Sequence, residues 1–306
     1  LSSAVIAATI AAATPGTEPP MKLYRDFTSQ EELDAHYNVL GNVADPDAII
    51  AAWARRSEEA VGHLPCRLDQ RYGPTLAEYC DVFPAGPGAP VHVFIHGGYW
   101  RRFSARDHDF VAPKLVAAGL TVVVVNYALC PVVTLDEIVR QVRAAIAWTY
   151  VNARRFDADP DRLTISGHSA GGHLTAMALL TDWVGDYGLP DDVIKGAVAI
   201  SGLFDLGFLP YCYIQPKVQA TWDQVNRLSP IRHLPAAAPP LLVAVGGDEP
   251  DEFRRQSRDF HAAWQAAGLR GDFLEPPGKH HLTVLEELEN PASELTQALV
   301  RVATAA

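Results

Sequence analysis

Residues 165–173 read ISGHSAGGH. Gly167-His168-Ser169-Ala170-Gly171 is a G-x-S-x-G pattern, placed between an apolar β-branched run and a segment of helical spacing. A serine on a tight strand-to-helix turn is strained and pushed out of the sheet, where its hydroxyl can attack. Glycines two residues to either side let neighbouring backbone pass without a Cβ clash. The following helix offers its N-terminal N–H groups and positive dipole end to an oxyanion. The chemistry of such a serine is acyl transfer. A plain glycine-rich turn has the same letters, and the strand before and helix after favour the nucleophile.

Acyl transfer needs donors for the carbonyl oxygen, a base and an orienting acid. His96-Gly97-Gly98-Tyr99-Trp100 follows the apolar run VHVFI, about seventy residues before Ser169. The backbone around Gly97 and Gly98 is expected to supply one oxyanion donor, and the Ala170 N–H the other. His96 is read as structural, holding the turn by hydrogen bonds. The acid is expected after a late strand, and LLVAVGGDEPDEF offers Asp248 and Glu249. A G-x-x-acid spacing favours Glu249, with Asp248 the alternative. The base is expected on a loop after the last strand, where PPGKHHLTVLEEL supplies His280 and His281. His281, immediately before a helix-starting apolar segment, is the one expected to face Ser169. A paired His-His can hold a metal, but no carboxylate or cysteine stands at helical ligand spacing from this one. No metal is expected, and this chemistry needs no other cofactor. His168 and His173 flank the serine and are read as buried and hydrogen-bonded. His36, His63, His108 and His261 are read as surface or packing residues.

The elements that must position these residues alternate. SQEELDAHY begins with Ser29 as N-cap and Glu32 three residues on, a capping box, and DPDAIIAAWARRSEEA continues the helical character over 29–60. AEYCDVFPA alternates as a strand. VHVFIHGG, TVVVVNY, RLTISGHS, IKGAVAISGL, PPLLVAVGGDE and RGDFLEPP read as strands. Between them HDFVAPKLVAAGL, with Gly119 at its C-cap, TLDEIVRQVRAAIAWTYVNA, capped by Thr134 with Glu137 closing a second box, AGGHLTAMALL and EFRRQSRDFHAAWQAAG read as helices. ELTQALVRVAT closes the chain as a helix. This order predicts an α/β fold, a mostly parallel sheet with helices on both faces. Residues 203–235 are expected to form a small cap insertion.

The chain has 306 residues, 48% of them apolar, and a formal charge of −11 with both signs interspersed. No basic stripe is present, which argues against nucleic acid. No apolar run approaches the ~18 residues of a membrane span. Cys66, Cys80, Cys130 and Cys212 lie far apart with no zinc spacing, so free thiols in a reducing, cytoplasmic compartment are expected. Residues 1–20 are small, apolar and then proline-rich, without a basic start. They are read as an N-terminal extension before one domain at 21–306. A signal-peptide remnant, and with it a periplasmic or secreted protein, is the alternative.

HGGYWR, VVVVNYALCPVVTLDEIVRQVR, GHSAGGHL, KGAVAISGLFDL and VAVGGDEPDEFRRQS together resemble the kynurenine formamidase (arylformamidase) group of α/β-hydrolases. LDAHYNV and QRYGP extend the likeness, which runs from about residue 24 to residue 300. The resemblance implies the α/β-hydrolase fold, Ser169 as nucleophile, the Gly97-Gly98 turn in the oxyanion hole, Glu249 as acid and His281 as base. It implies cleavage of an aryl formamide, N-formyl-L-kynurenine to kynurenine and formate, in tryptophan breakdown. One departure stands out. The family's histidine is followed by Phe, and here Leu282 follows His281. That places the substrate in question more than the mechanism.

A formyl group has almost no acyl side chain, so specificity is expected from an aryl pocket, with Tyr99, Trp100 and Phe204 as its aromatic wall. Trp100 packed in the core is an equal alternative. The expected partner is a small-molecule aryl amide or ester; a homodimer is admitted, as is common in such folds. The same triad would serve a carboxylesterase, an aryl amidase or an aryl carbamate hydrolase. A non-catalytic binding module of this fold would need a broken triad, and no member is missing.

Overall fold

Thr121–Val125 is five consecutive buried residues, four of them valine, as a strand covered on both faces requires. It is β4 of an eight-stranded sheet. The computed structural model describes residues 21–41 and 43–305. The segment 1–20, on which the extension and signal readings fall, lies outside them. The other strands are β1 (Arg67–Arg71), β2 (Tyr79–Phe83), β3 (Ala89–Ile95), β5 (Ala158–His168), β6 (Gly196–Ile200), β7 (Leu241–Ala244) and β8 (Gly271–Leu274). Their order is β1-β2-β4-β3-β5-β6-β7-β8. From β4 to β8 neighbours pair in parallel, and β1 and β2 pair antiparallel at one edge.

The helices are α1 (Gln30–Tyr37), α2 (Pro46–His63), α3 (Ala112–Ala117), α4 (Leu135–Asn152), α5 (Ala170–Leu179), α6 (Trp183–Tyr187), α7 (Gln215–Val218), α8 (Trp222–Arg227), α9 (Asp251–Ala266), α10 (Thr283–Glu286) and α11 (Glu294–Thr304). Because strand side chains alternate, they split into two cores. Val91, Val93 and Ile95 pack with Ile138 and Val142 of α4, Leu174 of α5 and Phe260 and Trp264 of α9. Phe94, Val122 and Val124 pack with Leu115 of α3, Trp53 of α2 and Leu295 and Leu299 of α11. Each fully buried side chain of this size contributes roughly 1.5–3 kcal/mol.

Local expectations are refined at several points. The helical stretch 29–60 is two helices with a turn between them. Ser29 caps α1 by accepting from the Glu32 N–H at 3.2 Å, but Glu32 reaches back to the Thr28 N–H, not to Ser29. Thr134 caps α4, while Glu137 turns to Arg140 and Gln141, so that box does not close. The helix expected at HDFVAPKLVAAGL is one 3₁₀ turn (Asp109–Val111) followed by the short α3, with Pro113 in its first turn and Gly119 at φ +89°. Residues 203–235 fold as short helical turns, and the Tyr213 N–H is tied to Asp34 of α1 at 2.7 Å.

Candidate active site

The site lies at the carboxyl ends of β3, β5, β6 and β7, where parallel sheets open a crevice. Ser169 follows β5 and immediately precedes α5, at φ 58° and ψ −117°. An L-residue holds such a backbone only when its surroundings over-determine it. Here they do. The Ser169 N–H donates to the Ile200 carbonyl at 2.8 Å, and the Ser169 carbonyl accepts from His173 at 3.1 Å. A Cβ at Gly167 would run into the Gly171 carbonyl, and one at Gly171 into the Ile95 carbonyl. The two glycines of the motif are thus packing requirements.

His281 stands on the loop between β8 and α10, 3% exposed, as is Ser169. Its Nδ1–H donates to Glu249 Oε2 at 2.6 Å. That bond fixes the tautomer and leaves Nε2 as the basic nitrogen. Glu249 is buried, and its Oε1 accepts from the Gly246 N–H at 2.8 Å and from the Ser201 hydroxyl. Asp248, the alternative acid, is solvent-exposed, and its N–H donates to the Lys279 carbonyl at 3.0 Å. Glu249 is therefore the carboxylate that meets His281. His280 turns away: its Nδ1 accepts from the N–H groups of Leu282 and Thr283 and caps the start of α10.

His168 does more than flank the serine. Its Nε2–H donates to the His281 carbonyl at 2.9 Å, and the two rings lie 4.6 Å apart. Burial, reinforced by the neighbouring His281, pushes its pKa well below the usual imidazole range. It is a neutral strut under the His281 main chain.

The Gly97-Gly98 turn faces this arrangement. A Cβ at Gly97 would lie 2.8 Å from the His168 carbonyl oxygen and 3.1 Å from Ser169 Cβ. Gly98 has φ +107°, and its carbonyl accepts from the N–H groups of Arg101 and Arg102 at 3.0 and 3.1 Å. His96 Nδ1–H donates to the Gly97 carbonyl at 2.8 Å, and Tyr127 stacks on the His96 ring and donates to the His96 carbonyl. Ala170 is the first residue of α5, so its N–H has no carbonyl one turn back.

Ser169, His281, His168, Gly97 and Gly98 line one cleft of about 60 Å³. Its walls include Val39, Leu40, Trp53, Tyr99, Phe103, Tyr213 and Leu282. Leu282, which stands where the resembling family has Phe, is thus a wall residue. Of the expected aromatic wall only Tyr99 lines the cleft: Phe204 is a correction, and Trp100 takes its core alternative. Tyr99 lines the cleft, with its hydroxyl tied to the Tyr37 carbonyl at 2.6 Å. Trp100 is fully buried behind it, donating to His173 Nδ1 at 3.3 Å, while His173 holds the Leu228 carbonyl. Phe204 is fully buried and stacks on Phe260 at 4.1 Å, its N–H held by Gln256 of α9. Both belong to the core. His108, expected as a surface or packing residue, is buried and lines the cleft. The sequence reading missed Ser201, Arg101 and Tyr213 as site residues. No motif marks them; Ser201 shows only as a polar residue ending an apolar strand.

A parallel sheet with a strained serine between β5 and α5, and a buried Glu–His pair on later loops, defines an α/β-hydrolase. The chain is 32% identical to the kynurenine formamidase of Danio rerio over 90% of its own length and 96% of that protein's. It is 30% identical to Esterase LipQ of Mycobacterium tuberculosis over 66% of its length and 52% of that protein's. A candidate thioesterase from Silicibacter sp. TM1040 superposes with a TM-score of 0.75 at 30% identity, over 89% of this chain and 99% of that one. The family model described as BD-FAE matches residues 83–264. The chain belongs to the kynurenine formamidase-like α/β-hydrolases of that family, and it is a hydrolase. All four cysteines are free, and no helix among the described residues is long and apolar enough to cross a membrane.

Proposed function

We propose that the protein is a serine hydrolase that cleaves the C–N bond of an aryl formamide, with N-formyl-L-kynurenine as the favoured substrate. The observation that carries the reading is the cleft itself: the strained Ser169 and the Glu249-held His281 open onto one narrow, largely apolar space.

In this reading Ser169 Oγ attacks the formyl carbon as His281 Nε2 takes its proton. Glu249 keeps the imidazole in its tautomer and stabilises the imidazolium. The carbonyl oxygen becomes the oxyanion, held by the Ala170 N–H and the backbone at Gly97-Gly98; each such donor is worth about 3–4 kcal/mol in a protease comparison. His281 returns the proton to the aryl amine nitrogen as the C–N bond breaks. Water, deprotonated by His281, then attacks the formyl ester and releases formate and free Ser169.

A second reading keeps these residues and changes the leaving group. Leu282 in place of an aromatic, and the likeness to Esterase LipQ, favour a carboxylesterase within the same cleft. The deciding experiment measures hydrolysis of N-formyl-L-kynurenine, p-nitrophenyl acetate and an aryl carbamate by the wild type and Ser169→Ala. Fast formamide cleavage that disappears in Ser169→Ala is expected. Serine-dependent activity on the ester or carbamate alone would overturn the formamidase reading. Activity indifferent to Ser169→Ala would overturn the mechanism, and failure of a serine-directed phosphonate to label Ser169 would favour a binding module.

A further inference from the structure

The charges on the cleft wall have one sign. Arg101 and Arg102 line it, and no aspartate or glutamate does among the described residues. This runs against the chain as a whole, whose net charge is −11. Arg106, a few residues on, pairs with Asp69 at 3.0 Å and Asp81 at 3.3 Å. Arg101 and Arg102 have no carboxylate partner among the described residues. Arg102 is exposed and rests over the Phe103 ring at 5.1 Å. Arg101 is half-buried, and its Nε is buried without an acceptor. A buried donor on a charged group left unpaired is costly. Arg56, Arg143 and Arg254 also bury an Nε without an acceptor, but those guanidinium groups bond carboxylates or a carbonyl, and of the four only Arg101 lines the cleft. Both arginines are fixed at the root, since their N–H groups bond the Gly98 carbonyl of the oxyanion turn. Tyr213, from the segment 203–235, lines the cleft with them, and its hydroxyl is the side-chain partner of the Arg101 guanidinium.

We infer that Arg101, with Arg102 at the rim, forms a subsite for a carboxylate on the leaving portion of the substrate. The inference rests on the hydrolase reading of this cleft and deepens it: the preferred substrates are acyl aryl amines or esters whose aryl part carries an anionic side group. A guanidinium meets a carboxylate with two parallel N–H donors, which positions as well as attracts. Two local positive charges also offset the repulsion that an acidic protein exerts on an anion. Because Arg101 hangs from the Gly98 turn, a carboxylate held there sets the distance from the anchored end of the substrate to the oxyanion donors.

The test compares matched acid and methyl-ester pairs. N-formyl-L-kynurenine is set against its methyl ester, and 4-acetoxybenzoate against methyl 4-acetoxybenzoate. The quantity read is the ratio of kcat/KM for acid over methyl ester in wild type, Arg101→Lys and Arg101→Ala. The wild type is expected to favour the acid by about tenfold or more, Arg101→Lys by less, and Arg101→Ala to bring the ratio close to one, mostly through KM. A wild-type ratio at or below one for every pair that is cleaved, or a ratio unchanged in Arg101→Ala, would overturn the subsite. If only the acetoxybenzoates are cleaved, with the acid preferred, the subsite stands and the formamide reading falls. If both formamides are cleaved equally, the subsite falls and the formamide reading stands. Should Arg101→Ala not fold, wild-type inhibition decides. Kynurenine must inhibit p-nitrophenyl acetate hydrolysis about tenfold more strongly than its methyl ester; equal inhibition overturns the proposal.

Discussion

Ser201 and His281 hold the two oxygens of one buried carboxylate. His281 Nδ1 donates to Glu249 Oε2 at 2.6 Å, and the Ser201 hydroxyl donates to Oε1. Ser201 is itself fully buried at φ 51°, with its N–H anchored on the Ala244 carbonyl at 2.7 Å. A serine held in the left-handed region next to the acid is a positioning device: it stops the carboxylate from rotating out of the imidazole plane. Ser201→Ala keeps the backbone anchor and loses a hydrogen bond to a charged group, worth about 1.5–3 kcal/mol. We expect kcat on p-nitrophenyl acetate to fall about tenfold, with KM little changed and the circular dichroism spectrum intact. Full retention of kcat would show that Gly246 alone orients Glu249.

The two neighbouring acids are expected to separate sharply. Glu249→Gln would leave the geometry but remove the charge that supports the imidazolium, and the corresponding change in a serine protease costs about 10⁴ in kcat. Asp248 points to solvent, so Asp248→Asn should stay within about twofold of wild type, as surface changes do. Steady-state kinetics on one ester with both variants checks this. A loss confined to Asp248→Asn would mean that Asp248, not Glu249, serves His281, and equal losses would mean that neither acid does so alone.

The fold was legible where periodicity and burial agree. β3, β4, β5 and the long α4 are apolar runs or stripes that nothing else explains. β1 was missed because Arg67–Arg71 is an edge strand with alternately exposed polar residues, and its pairing is imposed by β2. The strand-turn-helix around Ser169, the Gly97-Gly98 turn and His281 were legible because each needs a residue type no packing argument would choose. The aromatic wall was not. Adjacent residues after a strand point to opposite sides, so Tyr99 faces the cleft while Trp100 faces His173. Ser201, Arg101 and Tyr213 reach the site only through the tertiary fold, and single polar residues carry no local pattern.

Gly97 and Gly171 are both closely approached, but with different consequences. At Gly171 an added Cβ meets the Ile95 carbonyl, main chain of a central strand that cannot move. Gly171→Ala is expected to cost more than the usual 1–3 kcal/mol of overpacking and to yield little soluble protein. At Gly97 the Cβ would lie 2.8 Å from the His168 carbonyl, a milder approach than the 2.0 Å at Gly171. Gly97→Ala should fold with a Tm a few degrees lower. Its kcat should drop about 10²-fold, because any retreat of the turn takes the oxyanion donor with it. Comparing Tm with kcat for Gly97→Ala separates the roles; a large Tm loss with proportionate activity would make Gly97 a packing residue only.

Asp109 contributes one component of the pH dependence of stability. It is fully buried on a 3₁₀ turn packed against α2, and neither carboxylate oxygen has a partner among the described residues. Burial, then the charge of Asp81, raises its pKa to about 8, with Asp107 and Asp69 adding and Arg106 opposing. Asp81 is itself raised to about 6, again chiefly by burial. The folded chain therefore keeps protons that the unfolded chain releases near the ordinary carboxylate value. The stability these groups contribute is fully present below about pH 4, and it is lost progressively as pH rises through 6 and then 8. Buried His92, His96, His108, His168 and His173, whose pKa values burial lowers, act in the opposite sense below about pH 6.5, so the Asp109 contribution is read as the difference between wild type and Asp109→Asn. Asp109→Asn, which cannot ionise, should be more stable relative to wild type at pH 8 than at pH 5. Thermal or urea melts at the two pH values measure the slope; an unchanged slope in Asp109→Asn would mean that Asp109 stays ionised in the folded protein.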